Sequence, residues 1–348
     1  MRLLQFQYSS NSSRGLGLLQ SDDETVIDVT AQRPEIDSVF VLLRKLLDQN
    51  ITIDSWIKNN IKTGGTSISK FPYRSLINTG KGNKSPTLLL PIDQPRNPWA
   101  FQLWGAGVTH KRSADAREEE AIHVSGARVN FYEKIYQAGV TGGSPSEGQE
   151  GAKPEIFFKG TGFHCVPHNG KLERAANSKR LSPEPEVVAF FMAGSTGIPT
   201  LVGFSGGNDF SDQGWESENP LYLTHAKFQD GMASLGPNFV TSNFQGFDIE
   251  EIQLECKVYR KGQIIMDSGL LKTGQKYMAH SLKNLAIHLF NHRRIRVDEV
   301  RGLFLGTSAV FPVPLEINDE IFITYDSGLG TLANKLIAPV ESDTLPRV

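Results

Sequence analysis

The chain lacks the features that mark secreted, membrane-spanning and nucleic-acid-binding proteins. Its 348 residues include only two cysteines, Cys165 and Cys256, so we expect reduced thiols rather than a disulfide framework. No apolar run approaches the roughly 20 residues that span a bilayer, and residues 1–6 turn polar too soon for a signal peptide. With 36 basic and 38 acidic residues, no charge excess favours nucleic acid or a membrane surface. These absences predict a cytoplasmic protein with neither kind of partner.

The composition that remains is that of a globular protein. Hydrophobic residues make up 39% of the chain and charged residues 21%, which is ordinary for a folded domain. The length suggests one large domain or two unequal ones. Pro91, Pro95 and Pro98 indicate a stiff connection. We therefore predict a small N-terminal domain over 1–92 and a main domain over 93–348.

Strand patterns dominate from Trp99 onward. Apolar and polar residues alternate over 252–258, as in a half-buried strand. Helical spacing of apolar residues appears near 35–50, 116–136 and 278–292. The predicted class is α+β, with a mainly antiparallel β body and a smaller N-terminal α/β domain.

Two glutamates stand at the start of one predicted strand. Glu184 and Glu186 flank a proline and precede an apolar, β-branched run over 187–191. Side chains at i and i+2 of a strand point to the same face, so both carboxylates project together. A turn at 194–197 and a second apolar run then lead to Asp209.

A hairpin centred between Ser195 and Thr196 would place Glu184 opposite Gly207, with Asp209 one diagonal away. Diagonal neighbours lie roughly 7–8 Å apart, close enough for one ion to bridge the carboxylates. Hard oxygen donors favour Mg²⁺, with Mn²⁺ or Ca²⁺ as alternatives. The glycines at 206 and 207 would let backbone approach a ligand. From spacing alone, a pair of glutamates on a solvated strand face is about equally common.

Two lysines are candidates for chemistry near this cluster. The segment 218–221 carries the chain back toward Asp209 and brings Lys227 with it. A lysine beside a bound cation is pushed toward its neutral form, as a proton-abstracting base requires. Lys159 follows two phenylalanines. It could be a buried cation, although a lysine at a strand end that faces water is the commoner case.

Several segments together resemble the fumarylacetoacetate hydrolase superfamily, and more narrowly its sugar-acid branch, the 2-keto-3-deoxy-pentonate dehydratases. The resemblance extends over about residues 99–338. The matching segments are 105–109 with Arg112 and Ser113, 118–120, 154–159, 182–186, 218–223 with Ala226 and Lys227, 233–237 and 306–308.

The resemblance implies a site. Glu184, Glu186 and Asp209 match the metal ligands, and Lys227 matches the active-site lysine. Thr307 matches the residue that contacts the substrate carboxylate, and we assign Gly306, Lys159 and Arg112 to substrate binding with it. Glu119 or Glu120 matches an acidic residue on a segment that closes over the site. Where the family commonly has Ser-Ser-Arg or Ser-Ala-Arg after its Asn-Asp, this chain has Phe210-Ser211-Asp212-Gln213, so an arginine that could pair bidentately with substrate is missing there.

The implied fold is a β-rich sandwich-roll, usually assembled as a homodimer or homotetramer. Its expected function is that of a magnesium-dependent hydro-lyase acting on a 2-keto-3-deoxy sugar acid of the arabinonate or xylonate type. The ion would chelate the carboxylate and 2-keto oxygen, Lys227 would remove the C3 proton, and the enolate would expel the C4 hydroxyl. Glu119 or Glu120 would protonate that leaving group. The product from a pentonate is 2-oxoglutarate semialdehyde.

Two alternatives remain open at this point. The same metal site would serve a hydrolase or decarboxylase of an acylpyruvate-type diketo acid, although the sequence offers no identifiable water-activating group. A non-catalytic protein that binds small keto acids would also fit the altered Asp212-Gln213.

Overall fold

A computed structural model describes residues 1–9, 13–78, 86–126, 130–291 and 293–339. Its strands are β1 (Arg2–Gln7), β2 (Arg14–Leu19), β3 (Thr25–Asp28), β4 (Lys70–Pro72), β5 (Thr87–Leu88), β6 (Phe101–Gly107), β7 (Glu155–Thr161), β8 (Cys165–Pro167), β9 (Lys171–Glu173), β10 (Leu181–Ser182), β11 (Pro185–Ala193), β12 (Pro199–Asn208), β13 (Ser211–Asp212), β14 (Ala233–Leu235), β15 (Phe239–Thr241), β16 (Gln253–Arg260), β17 (Gln263–Lys272), β18 (Val300–Phe304), β19 (Glu320–Tyr325) and β20 (Gly330–Ile337). Its α-helices are α1 (Val29–Gln32), α2 (Val39–Leu47), α3 (Ile53–Asn60), α4 (Arg74–Ile77), α5 (Lys111–Ser125), α6 (Phe131–Gly142), α7 (Gln213–Glu218), α8 (Leu223–Lys227) and α9 (Leu282–Phe290).

A large mixed sheet forms the frame of the molecule. Its main path runs β4-β3-β2-β1-β15-β12-β11-β18-β6-β7, with β5, β8 and β14 attached beside it. Along this path only β18 and β6 pair in parallel. A second sheet, β17-β16-β19-β20-β9, is likewise mostly antiparallel. The predicted α+β class with a mainly antiparallel body is confirmed.

Strand β11 is buried on both faces and separates two cores. Val187 and Ala189 belong to a core shared with β16 and β19 of the second sheet, while Val188 and Phe190 belong to a core shared with α2 and α3. The alternation follows from the two-residue period of a strand. Because both faces are packed, β11 holds the residues at its end in a fixed position.

The N-terminal strands continue the large sheet, since β1 pairs with β15 at Arg2 and Val240. The helices of this segment, α2 and α3, pack on the same core as β11. The division at residues 92 and 93 stays a prediction.

Two of the predicted helices are shorter than their patterns suggested. Helix α2 begins at Val39, because the hydroxyl of Ser38 accepts from the Val41 amide at 3.2 Å and caps it. Helix α9 begins at Leu282, capped in the same way by Ser281. The predicted end of α9 at His292 lies outside the described residues.

The single helix predicted over 116–136 is instead two helices, α5 and α6. Helix α5 ends at Ser125, where Gly126 adopts the left-handed conformation typical of a helix C-terminus. Both cysteines are free and buried, as expected. Among the described residues, no helix has the length and apolar character needed to cross a membrane.

Candidate metal centre

The hairpin of β11 and β12 brings the three predicted carboxylates together. Glu186 pairs with Gly207, and the Asp209 amide donates to the Glu184 carbonyl at 2.9 Å. Glu184 therefore lies directly opposite Asp209, and the predicted pairing of Glu184 with Gly207 is wrong by two residues.

The shift in register has two local causes. The turn is centred on Thr196, since Ala193 pairs with Pro199, and a bulge between Phe190 and Phe191 adds one further residue. An extra residue in one strand of a pair displaces everything beyond it. The observed register brings the carboxylates closer together than the predicted diagonal arrangement would.

The triad fits a hard divalent cation. Glu184, Glu186 and Asp209 each offer an oxygen within 4.8 Å of the others, and all three side chains are buried. Burial raises the pKa of Glu186 well above its ordinary value, and the nearby charges of Asp209 and Glu184 raise it further. Three buried carboxylates repel one another unless a cation lies between them. All-oxygen donors are the ligands that Mg²⁺ prefers.

Each glutamate is also held by a hydrogen bond to a neighbouring residue. The Gly306 amide donates to Glu186 Oε2 at 2.7 Å, and the side chain of Asn208 accepts from the Glu184 amide at 2.9 Å. Such partners orient metal ligands before the ion arrives.

Lys227, at the end of α8, lies against the triad as predicted. Its Nζ is 2.6 Å from Glu184 Oε2, 3.0 Å from Asp209 Oδ2 and 2.7 Å from Ser211 Oγ. Burial alone would lower the pKa of Lys227, but the charges of Asp209 and Glu184 outweigh it and raise that pKa. The ammonium form is therefore held by the same carboxylates that a metal ion would engage.

Lys159 lies behind Asp209 rather than on the cavity wall. Its Nζ is 2.7 Å from Asp209 Oδ1 and donates to the Phe210 carbonyl at 2.6 Å. Burial lowers the pKa of Lys159. Burial alone would raise the pKa of Asp209, but the charges of Lys159 and Lys227 outweigh it and lower that pKa. The structure thus places Lys159 as a support of a carboxylate, away from where we assigned it.

One face of α5 closes the cavity over the triad. Ser113, Ala116, Arg117 and Glu120 line it, at the i, i+3, i+4, i+7 spacing of a single helix face. Of the two acidic candidates, Glu120 is on this wall, where it also pairs with Arg180. Arg112 and Glu119 are exposed and lie off this face. Gly306 and Thr307 also line the cavity.

Sequence reasoning assigned no role in the site to Arg117, Glu155, Gln213 and Glu216, which also line the cavity. Arg117 forms an ion pair with the fully buried Glu216 of α7, whose Oε1 is 3.7 Å from Lys227 Nζ. Arg117 thus places a guanidinium group in the cavity, whereas Gln213 carries an amide. The helical spacing of α5 carried the signal that could have revealed Arg117.

The altered Asp212-Gln213 has a structural explanation. Asp212 is fully buried, and its carboxylate accepts from Ser178 Oγ and from the amides of Lys179, Arg180 and Gly214. It therefore fixes a loop and does not enter the cavity. Gln213 does line the cavity, with Nε2 3.5 Å from Glu184 Oε1.

The glycines before Asp209 serve packing rather than ligand approach, contrary to expectation. A Cβ at Gly206 would lie 2.5 Å from the ring of Tyr325, and one at Gly207 would lie 2.6 Å from Val188. The space they leave is filled by protein side chains.

Comparison with known proteins places the chain in a family. No protein-family model matches it. Over 252 residues it is 32% identical to a protein of Haloferax volcanii named probable 2-keto-3-deoxyxylonate dehydratase, covering 71% of this chain and 74% of that protein. The chain belongs to the 2-keto-3-deoxy-pentonate dehydratase family. A second member, the 2-dehydro-3-deoxy-D-arabinonate dehydratase of Saccharolobus solfataricus, is 28% identical over 279 residues, or 80% of this chain and 82% of that one.

Solved structures share the fold of this dehydratase family member. One of 2-keto-3-deoxy-D-arabinonate dehydratase, complexed with magnesium and 2,5-dioxopentanoate, matches with a TM-score of 0.70 at 23% identity and covers 98% of this chain and 100% of that one. A 5-carboxymethyl-2-hydroxymuconate delta-isomerase from Mycobacterium smegmatis matches with a TM-score of 0.59 at 16% identity, covering 98% and 100%. The fold of the fumarylacetoacetate hydrolase type is confirmed.

Proposed function

We propose that this protein is a magnesium-dependent dehydratase of a 2-keto-3-deoxy sugar acid of the arabinonate or xylonate type. The observation that carries the proposal is the buried triad of Glu184, Glu186 and Asp209 with Lys227 Nζ in contact with two of its members. Family membership supports the substrate class, because both curated relatives are named for 2-keto-3-deoxy-pentonates.

The triad would hold the ion, and Mn²⁺ or Ca²⁺ would compete for the same oxygens. A bound divalent cation would engage the carboxylate and 2-keto oxygen of the substrate and make the C3 hydrogens more acidic. The magnesium in the related structure supports this choice of metal.

Lys227 is the proposed base. Its Nζ contacts Glu184 and Asp209 of the triad and lines the cavity, which would put it beside a keto acid bound there. In its neutral form, which a bound dication would favour, Nζ takes a proton from C3, the electrons of that bond form the C3–C4 double bond, and the C4–O bond breaks. For a pentonate, loss of water and later proton shifts yield 2-oxoglutarate semialdehyde.

Glu120 is the proposed acid for the leaving hydroxyl. Protonation of the departing oxygen by its carboxyl group releases water instead of hydroxide. Glu120 stands on the cavity face of α5, whereas Glu119 is exposed. Glu155 also lines the cavity and is an alternative carboxyl group for this proton transfer.

Thr307 and Gly306, which also line the cavity, are the proposed substrate-binding residues. The Gly306 amide is already bonded to Glu186, so we propose the Thr307 hydroxyl, which accepts from the Ala309 amide at 3.1 Å, as the donor to a substrate carboxylate. Hydrolysis of an acylpyruvate would need a water-activating group, and no histidine is among the described residues that line this cavity.

The test is an assay of purified protein with magnesium on 2-keto-3-deoxy-arabinonate, 2-keto-3-deoxy-xylonate and an acylpyruvate. We expect turnover of at least one of the two sugar acids and no turnover of the acylpyruvate. This activity should be lost with EDTA and restored by magnesium. The Lys227→Ala variant should bind magnesium by calorimetry yet show no turnover. Retained turnover in that variant would reject the assignment of Lys227, and turnover of the acylpyruvate alone would reject the dehydratase.

We also propose a cytoplasmic homodimer or homotetramer with a domain division near residue 92. The two buried free thiols support a reducing compartment. Light scattering on the purified protein tests the assembly, and a monomer at assay concentration would contradict it.

A further inference from the structure

Tyr325 links the second sheet to the backbone of the metal centre. It is the last residue of β19, and its side chain is 4% exposed. Its hydroxyl accepts hydrogen bonds from the amides of Glu186 and Gly207, each at 3.2 Å, and donates to the Gly207 carbonyl. One hydroxyl therefore satisfies three backbone groups of the residue pair formed by Glu186 and Gly207.

The surrounding packing keeps this contact in place. The ring lies where a side chain at Gly206 would otherwise be, since a Cβ there would be 2.5 Å from it. Cys256 and Val258 of β16 belong to the same buried core as Tyr325. The ring cannot withdraw without opening a cavity, so the hydroxyl is held against β11 and β12.

Glu186 is consequently fixed at two points. Tyr325 binds its backbone amide, and the Gly306 amide binds carboxylate oxygen Oε2 at 2.7 Å. The first contact sets the direction in which the side chain leaves the strand, and the second sets the rotation of the carboxylate. Groups that orient a metal ligand in this way raise the affinity of the site.

We propose that Tyr325 is a positioning residue of the metal centre, whose hydroxyl fixes the backbone of Glu186 and Gly207 so that the Glu186 carboxylate faces the ion. This inference rests on the proposed function in that Glu186 must be a metal ligand. It assigns a role to the second sheet, which otherwise contributes no side chain among the described residues that line the cavity.

Tyr325→Phe removes the hydroxyl and keeps the ring. A matched control is Tyr73→Phe, because Tyr73 and Tyr325 both line a second cavity, separate from the one over the triad. The Tyr73 hydroxyl donates to Asn238 Oδ1 at 3.0 Å, away from the triad. Calorimetric titration with magnesium alone, on wild type and both variants, measures the affinity, and thermal unfolding without magnesium measures the stability.

We expect the Tyr325→Phe variant to bind magnesium about 10- to 100-fold more weakly than wild type, and Tyr73→Phe to bind it normally even if its melting temperature also falls. Equal affinity in Tyr325→Phe and wild type would overturn the inference, and so would an equal loss in Tyr73→Phe. Failure of wild type to bind magnesium would instead refute the proposed metal centre.

A measurement on wild type keeps the inference testable if Tyr325→Phe does not fold. The amides of Glu186 and Gly207 should exchange with solvent deuterium only by global unfolding, since the buried hydroxyl of Tyr325 engages both. Fast exchange of these two amides in otherwise protected protein would overturn the inference.

Discussion

Lys159 and Asp209 form an ion pair at 2.7 Å, between Nζ and Oδ1, in which both side chains are almost completely inaccessible to solvent. Lys227 contacts the other oxygen of the same carboxylate at 3.0 Å. Asp209 is thus held between two ammonium groups. One of them lines the cavity and the other supports the carboxylate from behind.

Lys159→Met should destabilise the fold by about 3–5 kcal/mol, because removing one partner of a buried pair leaves the other charge uncompensated. Urea unfolding without magnesium measures the effect. The control is Lys283→Met, at an exposed position of α9, which should stay within about 0.5 kcal/mol of wild type. Normal stability together with a raised KM would favour substrate binding by Lys159 instead.

Glu120→Gln should lower kcat by about 100-fold or more, as expected when a positioned acid is lost. Glu119→Gln, one position away on the exposed face of α5, should be close to wild type. Because Glu120 also pairs with Arg180, Arg180→Gln reports how much of the loss comes from breaking that pair. Equal losses in Glu120→Gln and Arg180→Gln would indicate a structural role, and a loss confined to Glu155→Gln would move the acid to Glu155.

His110 should make the protein less stable in mild acid. Burial lowers the pKa of His110 from 6.5 to about 4, so between those values the unfolded chain binds a proton that the folded chain does not. Its contribution to the free energy of unfolding is therefore complete above about pH 6.5 and falls by about 3 kcal/mol toward pH 4.

The comparison is between wild type, His110→Asn and His225→Asn, with unfolding by urea measured from pH 7 to pH 4. His110→Asn should lose stability less steeply than wild type, whereas His225→Asn, at an exposed position, should follow wild type. Identical slopes in all three proteins would show that His110 is protonated equally in both states.

Much of the metal centre could be predicted from local pattern. The spacing of Glu184 and Glu186 on a strand and the return of the chain to Asp209 are short-range features, and the structure brings all three together. The register could not be predicted, because the bulge after Phe190 lies within an apolar run and no turn residue indicates it.

Contacts between distant segments were the other limit. Tyr325 is 139 residues from Glu186, and no local pattern connects them. Arg117 and Arg112 differ only in helix phase, and choosing between them required knowing which face of α5 turns toward the cavity. Helix α5 begins at Lys111 rather than at the predicted Ala116, and Arg117 and Glu120 share the face that lines the cavity.

The two ammonium groups around Asp209 have a consequence for selectivity. Three carboxylates against two ammoniums leave this cluster with one formal negative charge. With a dication bound and Lys227 neutral, as its role as a base requires, the cluster carries no formal charge, and each carboxylate of a ligand adds one negative charge in a region where uncompensated charge is costly. Keto acids with one carboxylate should therefore be preferred over dianionic diacids of the same length.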